Sequence, residues 1–124
     1  MEYEEIPFLS REEISSAISD GDVDRRCIAL LSAALYQEDW RASQALCLEI
    51  MQAEEFSLKR CALIALGHIV RIHRILDLDA VNAATEKYAS QKELRGYIEN
   101  LSSDIRVFYG RNNDNDDNSS WEMN

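Results

Sequence analysis

Apolar residues along this chain recur at intervals of three and four, the spacing that places side chains on one face of an α-helix. Ser10 and Glu13 fit the S-x-x-E capping box at the start of the first predicted helix, and Gly110 follows the last one. No segment alternates between apolar and polar residues for long enough to predict a strand. The pattern predicts an all-α domain with helices over about residues 10–19, 24–37, 39–53, 57–74, 78–89 and 91–109.

The second and fourth predicted helices resemble each other. The segment RRCIALLSAALY at 25–36 aligns with KRCALIALGHIV at 59–70, and LRGYIENLSSDI at 94–105 is a weaker third copy. The first two copies are offset by 34 residues. A repeat of about this period is typical of helical hairpins that stack, because one hairpin cannot bury its apolar face alone. The sequence therefore predicts a right-handed stack of about six helices, arranged as solenoid hairpins.

Charge is concentrated at the two ends of the chain. The 124 residues include 13 Lys and Arg against 23 Asp and Glu, a net charge of -10. Residues 1–24 carry -7 and residues 111–124 carry -3, whereas residues 25–110 are neutral. We therefore predict an acidic N-terminal arm over residues 1–9, a single helical domain over 10–110 and a disordered acidic tail over 111–124, in which Trp121 is the one aromatic residue.

This charge balance excludes some classes of partner and favours another. An acidic protein repels nucleic acid and anionic lipid and attracts basic proteins. The acidic N-terminus does not resemble a secretory signal, and no apolar run is long enough for a membrane span. Three cysteines lie within apolar helical patterns, which is typical of core residues in a reducing compartment. We predict a cytoplasmic protein that binds neither nucleic acid nor membrane.

The sequence predicts no catalytic site, metal or cofactor. His68 and His73 are five residues apart, so they point to different sides of one helix, whereas metal ligands on a helix are spaced by three or four. Adjacent carboxylates at helix starts are explained by the helix dipole, and no phosphate-binding or nucleophile motif is present. We interpret the chain as a binding protein and not an enzyme.

Turns between the predicted helices place acids at two edges of the stack. If helices two, four and six run in one direction, the turns before them share one edge, and the remaining turns share the opposite edge, where aromatic residues accompany the acids. Aromatic residues beside acids are typical of an interface for a basic partner. The alternative is that the acids are solvated caps and that Trp40 belongs to the core. The candidate partner-binding residues are Asp20, Asp22, Asp24, Glu54 and Glu55 at the first edge, and Tyr36, Glu38, Asp39, Trp40, Asp77 and Asp79 at the second.

Two stretches carry a resemblance to known families. The segment KRCALIALGHIVRIHRILDLDAV at 59–81 resembles the HEAT repeat. Together with the acidic composition, GHIVRIHRILDLD at 67–79 and ENLSSDIRVF at 99–108 resemble bacterial immunity proteins of contact-dependent growth inhibition and polymorphic-toxin systems. The resemblance implies a protein that forms a 1:1 complex with a basic toxin domain, such as a nuclease, and blocks its active site. A HEAT-like scaffold or adaptor without an inhibitory role is the alternative.

Overall fold

The computed structural model describes residues 5–111, and these residues form six α-helices and no strand. The prediction of an all-α helical stack is confirmed. A short 3-10 turn over Lys92–Leu94 precedes the last helix. The helices are α1 (Arg11–Ile18), α2 (Val23–Tyr36), α3 (Trp40–Ile50), α4 (Phe56–His73), α5 (Leu78–Lys87) and α6 (Arg95–Phe108).

Short polar side chains start most of these helices. Ser10 and Glu13 form the predicted capping box of α1, with N–H to oxygen distances of 2.9 and 3.1 Å. Asp22, Asp39 and Asp77 are the N-caps of α2, α3 and α5, and each accepts a hydrogen bond from a backbone N–H of the first turn. The α3 helix ends earlier than predicted, because backbone bonds of the tighter 3-10 type close the chain after Ile50.

Helices α2, α4 and α6 run in the same direction. The Cys61 thiol near the start of α4 donates to the Cys27 carbonyl near the start of α2, at 3.4 Å. The Phe56 and Tyr97 rings lie 6.4 Å apart near the starts of α4 and α6. At the other end, the N–H of Gly110, just beyond α6, donates to the carbonyl of Arg74, just beyond α4, at 2.7 Å.

The other three helices run in the opposite direction. The Leu9 N–H, just before α1, donates to Ser32 Oγ in the second half of α2, so α1 is antiparallel to α2. Ser43 Oγ in α3 donates to the Ala33 carbonyl, which forms the α2–α3 hairpin. Lys59 Nζ, near the start of α4, lies 4.8 Å from the ring centre of Tyr88, at the end of α5. The molecule is therefore a row of α1, α2, α4 and α6, with α3 and α5 covering its other side.

Helix α4 is the centre of the core. Most of its side chains are buried, including Leu58, Leu66, Ile69 and Val70, which have no exposed surface. Burying one such side chain stabilises the fold by about 1.5–3 kcal/mol. Helices α2, α3 and α6 cover α4, and a smaller cluster around Ile14 joins α1 to α2.

The described part of the N-terminal arm packs against α2. Besides the bond from Leu9 to Ser32, the Gln37 side-chain amide donates to the Leu9 carbonyl at 3.0 Å. Residues 1–4 of the predicted arm lie outside the described residues. So do residues 112–124 of the predicted tail, including Trp121.

Gly67 of α4 leaves room for the Asp104 side chain of α6. A Cβ atom at this position would lie 2.8 Å from Asp104 Oδ2, whereas one at Gly96 would have no neighbour within 4 Å. Asp104 also forms a long ion pair with Arg71, whose Nε lies 3.7 Å from Oδ2. The two glycines therefore have different surroundings within the same helix pair.

We expect Gly96→Ala to raise the free energy of unfolding by about 0.5–1 kcal/mol, because alanine is the better helix former. Gly67→Ala should give no such gain, because Asp104 must move away and lose its pairing with Arg71. Chemical denaturation of both variants measures this difference. In an Asp104→Ala background the Gly67→Ala change should become stabilising. If Gly67→Ala stabilises the protein fully while Asp104 is present, Gly67 is not required for the helix approach.

Candidate functional site

Carboxylates cluster where α2 and α4 begin, a region we call the acidic end (Asp20, Asp22, Asp24, Glu54 and Glu55). The parallel course of these helices brings the two turns together, as expected from the sequence. An ion pair and hydrogen bonds within the chain already engage some of these carboxylates. Asp20 pairs with Arg25 at 2.7 Å and accepts from the Asp22 N–H at 2.8 Å. The Asp22 side chain caps α2 through the Asp24 N–H, at 3.3 Å.

The opposite end of the stack, the Tyr36 end, is formed by the α2–α3 and α4–α5 turns. Asp39 and Asp77 accept from the Ala42 and Ala80 N–H groups at 3.1 and 3.3 Å, and so act as caps. The Asp77 N–H also donates to Gln44 Oε1 of α3 at 2.8 Å, which ties the two turns together. The structure thus brings together the residues that the sequence assigned to the second edge, and keeps them apart from the first.

Tyr36 is an exposed aromatic residue held in a fixed orientation. Its hydroxyl donates to the Ile6 carbonyl at 2.8 Å, and its ring meets the Phe8 ring edge-on at a centroid distance of 5.9 Å. Nevertheless, 47% of Tyr36 and 63% of Phe8 remain exposed. Phe8 of the N-terminal arm and Tyr36 of α2 therefore present a contacting pair of aromatic rings to solvent.

Two depressions flank Tyr36. The first, which we call the α1/α3 cleft, has a volume of about 630 Å³ and lies between α1, the end of α2 and α3. The second, the α2/α4 groove, has a volume of about 580 Å³. The cleft is lined by Arg11, Ile14, Ser15, Ala33, Tyr36, Gln37, Glu38, Asp39, Ala42, Ser43, Ala45, Leu46 and Glu49. The groove is lined by Glu5, Ile6, Leu31, Leu35, Tyr36, Arg60, Cys61, Ile64 and His68.

Trp40 lines neither depression. It is half-buried and packs against the main core, and the Arg41 guanidinium lies 4.7 Å from the centre of its ring. The sequence left open whether Trp40 belongs to the core or to an interface, and its packing here matches the core alternative. Because one ring face of Trp40 is covered by Arg41, the most exposed aromatic residues at this end are Phe8 and Tyr36.

The three cysteines are buried within the helical core. Within residues 5–111, no three His, Cys, Asp or Glu side chains are grouped so that they could hold a metal ion. Complete burial raises the pKa of Cys47 to about 12. A hydrogen bond with Cys27, together with burial, raises the pKa of Cys61. No helix in this part of the chain is long and apolar enough to cross a membrane.

His68 belongs to a polar contact between α4 and α6. Its Nδ1 atom lies 3.3 Å from the Arg71 guanidinium, whose Nε donates to the Gly67 carbonyl at 3.2 Å. Burial lowers the pKa of His68 below its ordinary value, Arg71 lowers it further, and Asp104 acts in the opposite direction. At neutral pH this histidine is therefore an uncharged acceptor.

Sequence reasoning missed several residues of this surface. The sequence placed Phe8 in an acidic arm. Its contact partner Tyr36 is the last residue of α2, so all of α1 and most of α2 separate the two residues along the chain. Arg11 and Glu49 line the α1/α3 cleft, but neither lies in the α2–α3 turn that the sequence singled out. Only the packing of α1 beside α3 brings these residues together. Helical spacing alone carries no signal for it.

Comparison with known proteins identifies the fold. No protein-family model matches the chain, and no curated protein matches it in sequence. Among solved structures, the chain is similar to a chain in the crystal structure of a CDI complex from Cupriavidus taiwanensis LMG 19424. The TM-score is 0.76, with 22% sequence identity, and the match covers 87% of this chain and 97% of that one. The two chains therefore share a fold over nearly their whole lengths.

We expect the three thiols to be protected in the native protein. A thiol reagent at pH 8 should modify Cys27, Cys47 and Cys61 at least about 100-fold more slowly in buffer than in denaturant, because a buried thiol reacts only after local opening. Counting the released chromophore over time measures both rates. Rapid modification of one thiol in the native protein would contradict the tight packing between α2 and α4.

We expect His68 to make stability depend on pH. Its pKa is lower in the folded than in the unfolded chain, so the unfolded chain binds the proton first. The stability is therefore fully present above about pH 6.5 and falls as the pH drops below that value. Denaturation curves between pH 7.5 and 5 should show a smaller loss for His68→Gln than for the wild type. His73→Gln is the matched control and should keep the wild-type slope; equal slopes for all three proteins would refute the assignment.

Proposed function

We propose that this chain is an immunity protein that binds and neutralises a toxin domain of a contact-dependent growth inhibition system. The observation that carries the proposal is the shared fold with a chain of a CDI complex, since CDI is the usual abbreviation of contact-dependent growth inhibition. The likeness extends over 97% of that chain, so the whole of a member of such a complex has a counterpart here.

We infer that the partner is a basic toxin domain, such as a nuclease, bound in a 1:1 complex in the bacterial cytoplasm. A nuclease surface is positive because it must bind phosphate, and the two acidic turn regions of this chain would attract it. Residues 5–111 contain 17 acidic and 13 basic side chains, and seven of the carboxylates lie in the turns between helices. Covering the active site of the nuclease would then stop the reaction without any chemistry on the part of this chain.

The first test of this proposal is a growth experiment. The tagged full chain is used to capture its partner from the bacterium that encodes it, and the captured domain is then expressed with and without this chain. We expect one basic domain, derived from the C-terminal part of a large secreted protein, that stops growth alone and not when co-expressed. Capture of several unrelated cellular proteins, with no growth rescue, would favour an adaptor and overturn the proposal.

The second test separates electrostatic attraction from direct contact. Asp24→Lys with Glu54→Lys changes the acidic end, and Glu38→Lys with Asp79→Lys makes the same charge change at the Tyr36 end. Each pair should slow association with the toxin domain by about tenfold at low salt, since long-range attraction depends on total charge. The pair of substitutions that lies within the interface with the toxin domain should also speed dissociation of the complex. Unchanged rates and salt dependence for both pairs would contradict an acidic interface.

A further inference from the structure

The lining of the α1/α3 cleft has a net negative charge. Three carboxylates line it, from Glu38, Asp39 and Glu49, against the single guanidinium of Arg11. Within residues 5–111, the side chains of Glu38 and Glu49 make no hydrogen bond and no ion pair. Asp39 uses one oxygen to cap α3. The cleft therefore offers carboxylate oxygens to an incoming cation.

The floor of the cleft is apolar. Ile14 and Ala33 are 4% and 2% exposed and form the small core cluster between α1 and α2, and Leu46 of α3 packs against that cluster. An apolar floor with carboxylates around it matches a long basic side chain, whose aliphatic stem can lie on apolar surface while its charged head remains among polar groups. A hydrated metal ion would gain nothing from such a floor.

The wall of the cleft is preorganised. Tyr36 is held by its hydrogen bond to Ile6 and by its contact with Phe8, and Gln37 is held by its bond to the Leu9 carbonyl. Side chains that are already immobile lose little entropy on binding, which favours affinity. Tyrosine rings also attract cations above their faces.

We propose that the α1/α3 cleft receives a lysine or arginine side chain of the partner protein, as an anchor of the complex. This inference rests on the proposed function for the identity of the partner, and deepens it by selecting one site among the acidic surfaces. The stem of the anchor lies on Ile14 and Leu46, and its charge lies beside Glu38 and Glu49.

The other surfaces fit such an anchor less well. At the acidic end, Asp20 is already paired with Arg25 at 2.7 Å, and Asp22 is used as a helix cap. The remaining carboxylates of that end are unpaired, but they line none of the three described depressions: Asp24, Glu54 and Glu55. The α2/α4 groove has comparable volume, but Arg60 and His68 line it, and the guanidinium of Arg60 repels a second cation. Among the three described depressions, the α1/α3 cleft alone has more carboxylates than basic side chains in its lining, and it joins them to an apolar floor and the Tyr36 ring.

The direct test uses a small probe and does not require the toxin. Acetyl-Leu-Arg-Leu-amide is titrated into the full chain while backbone amide shifts are recorded, and acetyl-Leu-Gln-Leu-amide is the uncharged control. We expect the arginine peptide to shift amides around Tyr36, Ala42 and Leu46, and the glutamine peptide to bind at least about tenfold more weakly. Shifts confined to the acidic end or to the α2/α4 groove, or no shifts, would overturn the inference.

Charge variants make the test quantitative. Glu38→Lys with Glu49→Lys should weaken the arginine peptide by at least about tenfold, whereas Arg11→Gln should strengthen it, because it removes the one positive charge from the lining. Glu86→Lys with Glu93→Lys makes the same charge change at two exposed acids near the other end of the stack, and as the matched control it should leave binding unchanged. Equal affinity for all these variants would overturn the inference.

The same variants separate this inference from the proposed function. If the wild type rescues growth and the cleft variants bind the toxin domain as tightly as the wild type, the anchor is not in this cleft, although the chain is an immunity protein. If the arginine peptide binds in the cleft but no toxin domain is neutralised, the cation site stands and the proposed function fails. A toxin complex weakened by Glu38→Lys with Glu49→Lys and strengthened by Arg11→Gln supports both.

Discussion

The burial of α4 is the constraint on which the rest of the structure depends. This helix is apolar on nearly all sides, so it is stable only when neighbours cover it on several sides at once. Helices α2 and α6 flank it in parallel, and α3 covers it from the other side of the row. Because the connections between parallel helices must return along the stack, polar turns collect at its two ends. The separation of the carboxylates into an acidic end and a Tyr36 end is thus a consequence of how α4 is covered.

Close approach on both sides of α4 depends on small residues. On the α2 side, Cys61 and Cys27 are small enough for a thiol to reach the neighbouring backbone carbonyl. On the α6 side, Gly67 leaves room for Asp104. The repeat in the sequence carries this requirement, because its aligned cysteines occupy the same contact from opposite helices.

Much of the fold could be predicted from the sequence, and less of the site. Each helix was predicted from its apolar spacing, and α1 also from its capping box at Ser10, because these signals are local. The parallel course of α2 and α4 followed from the repeat. By contrast, the contact of Phe8 with Tyr36 and the opposition of Arg11 and Glu49 across the α1/α3 cleft depend on how α1 packs, which no spacing in the sequence encodes. The choice between core and surface for Trp40 likewise required the position of Arg41.

Net charge and local charge play different parts in this molecule. The total of -10 acts over a distance and is felt by any basic protein, so it governs how fast partners meet. Selective binding of one partner requires carboxylates that form no ion pair within the chain, next to apolar surface whose burial stabilises the complex. Asp20 fails this requirement because Arg25 neutralises it, although it lies in the most acidic part of the described chain. In our proposal Glu38 and Glu49 meet it, because their cleft supplies both an apolar floor and a tyrosine that is hydrogen-bonded to the N-terminal arm.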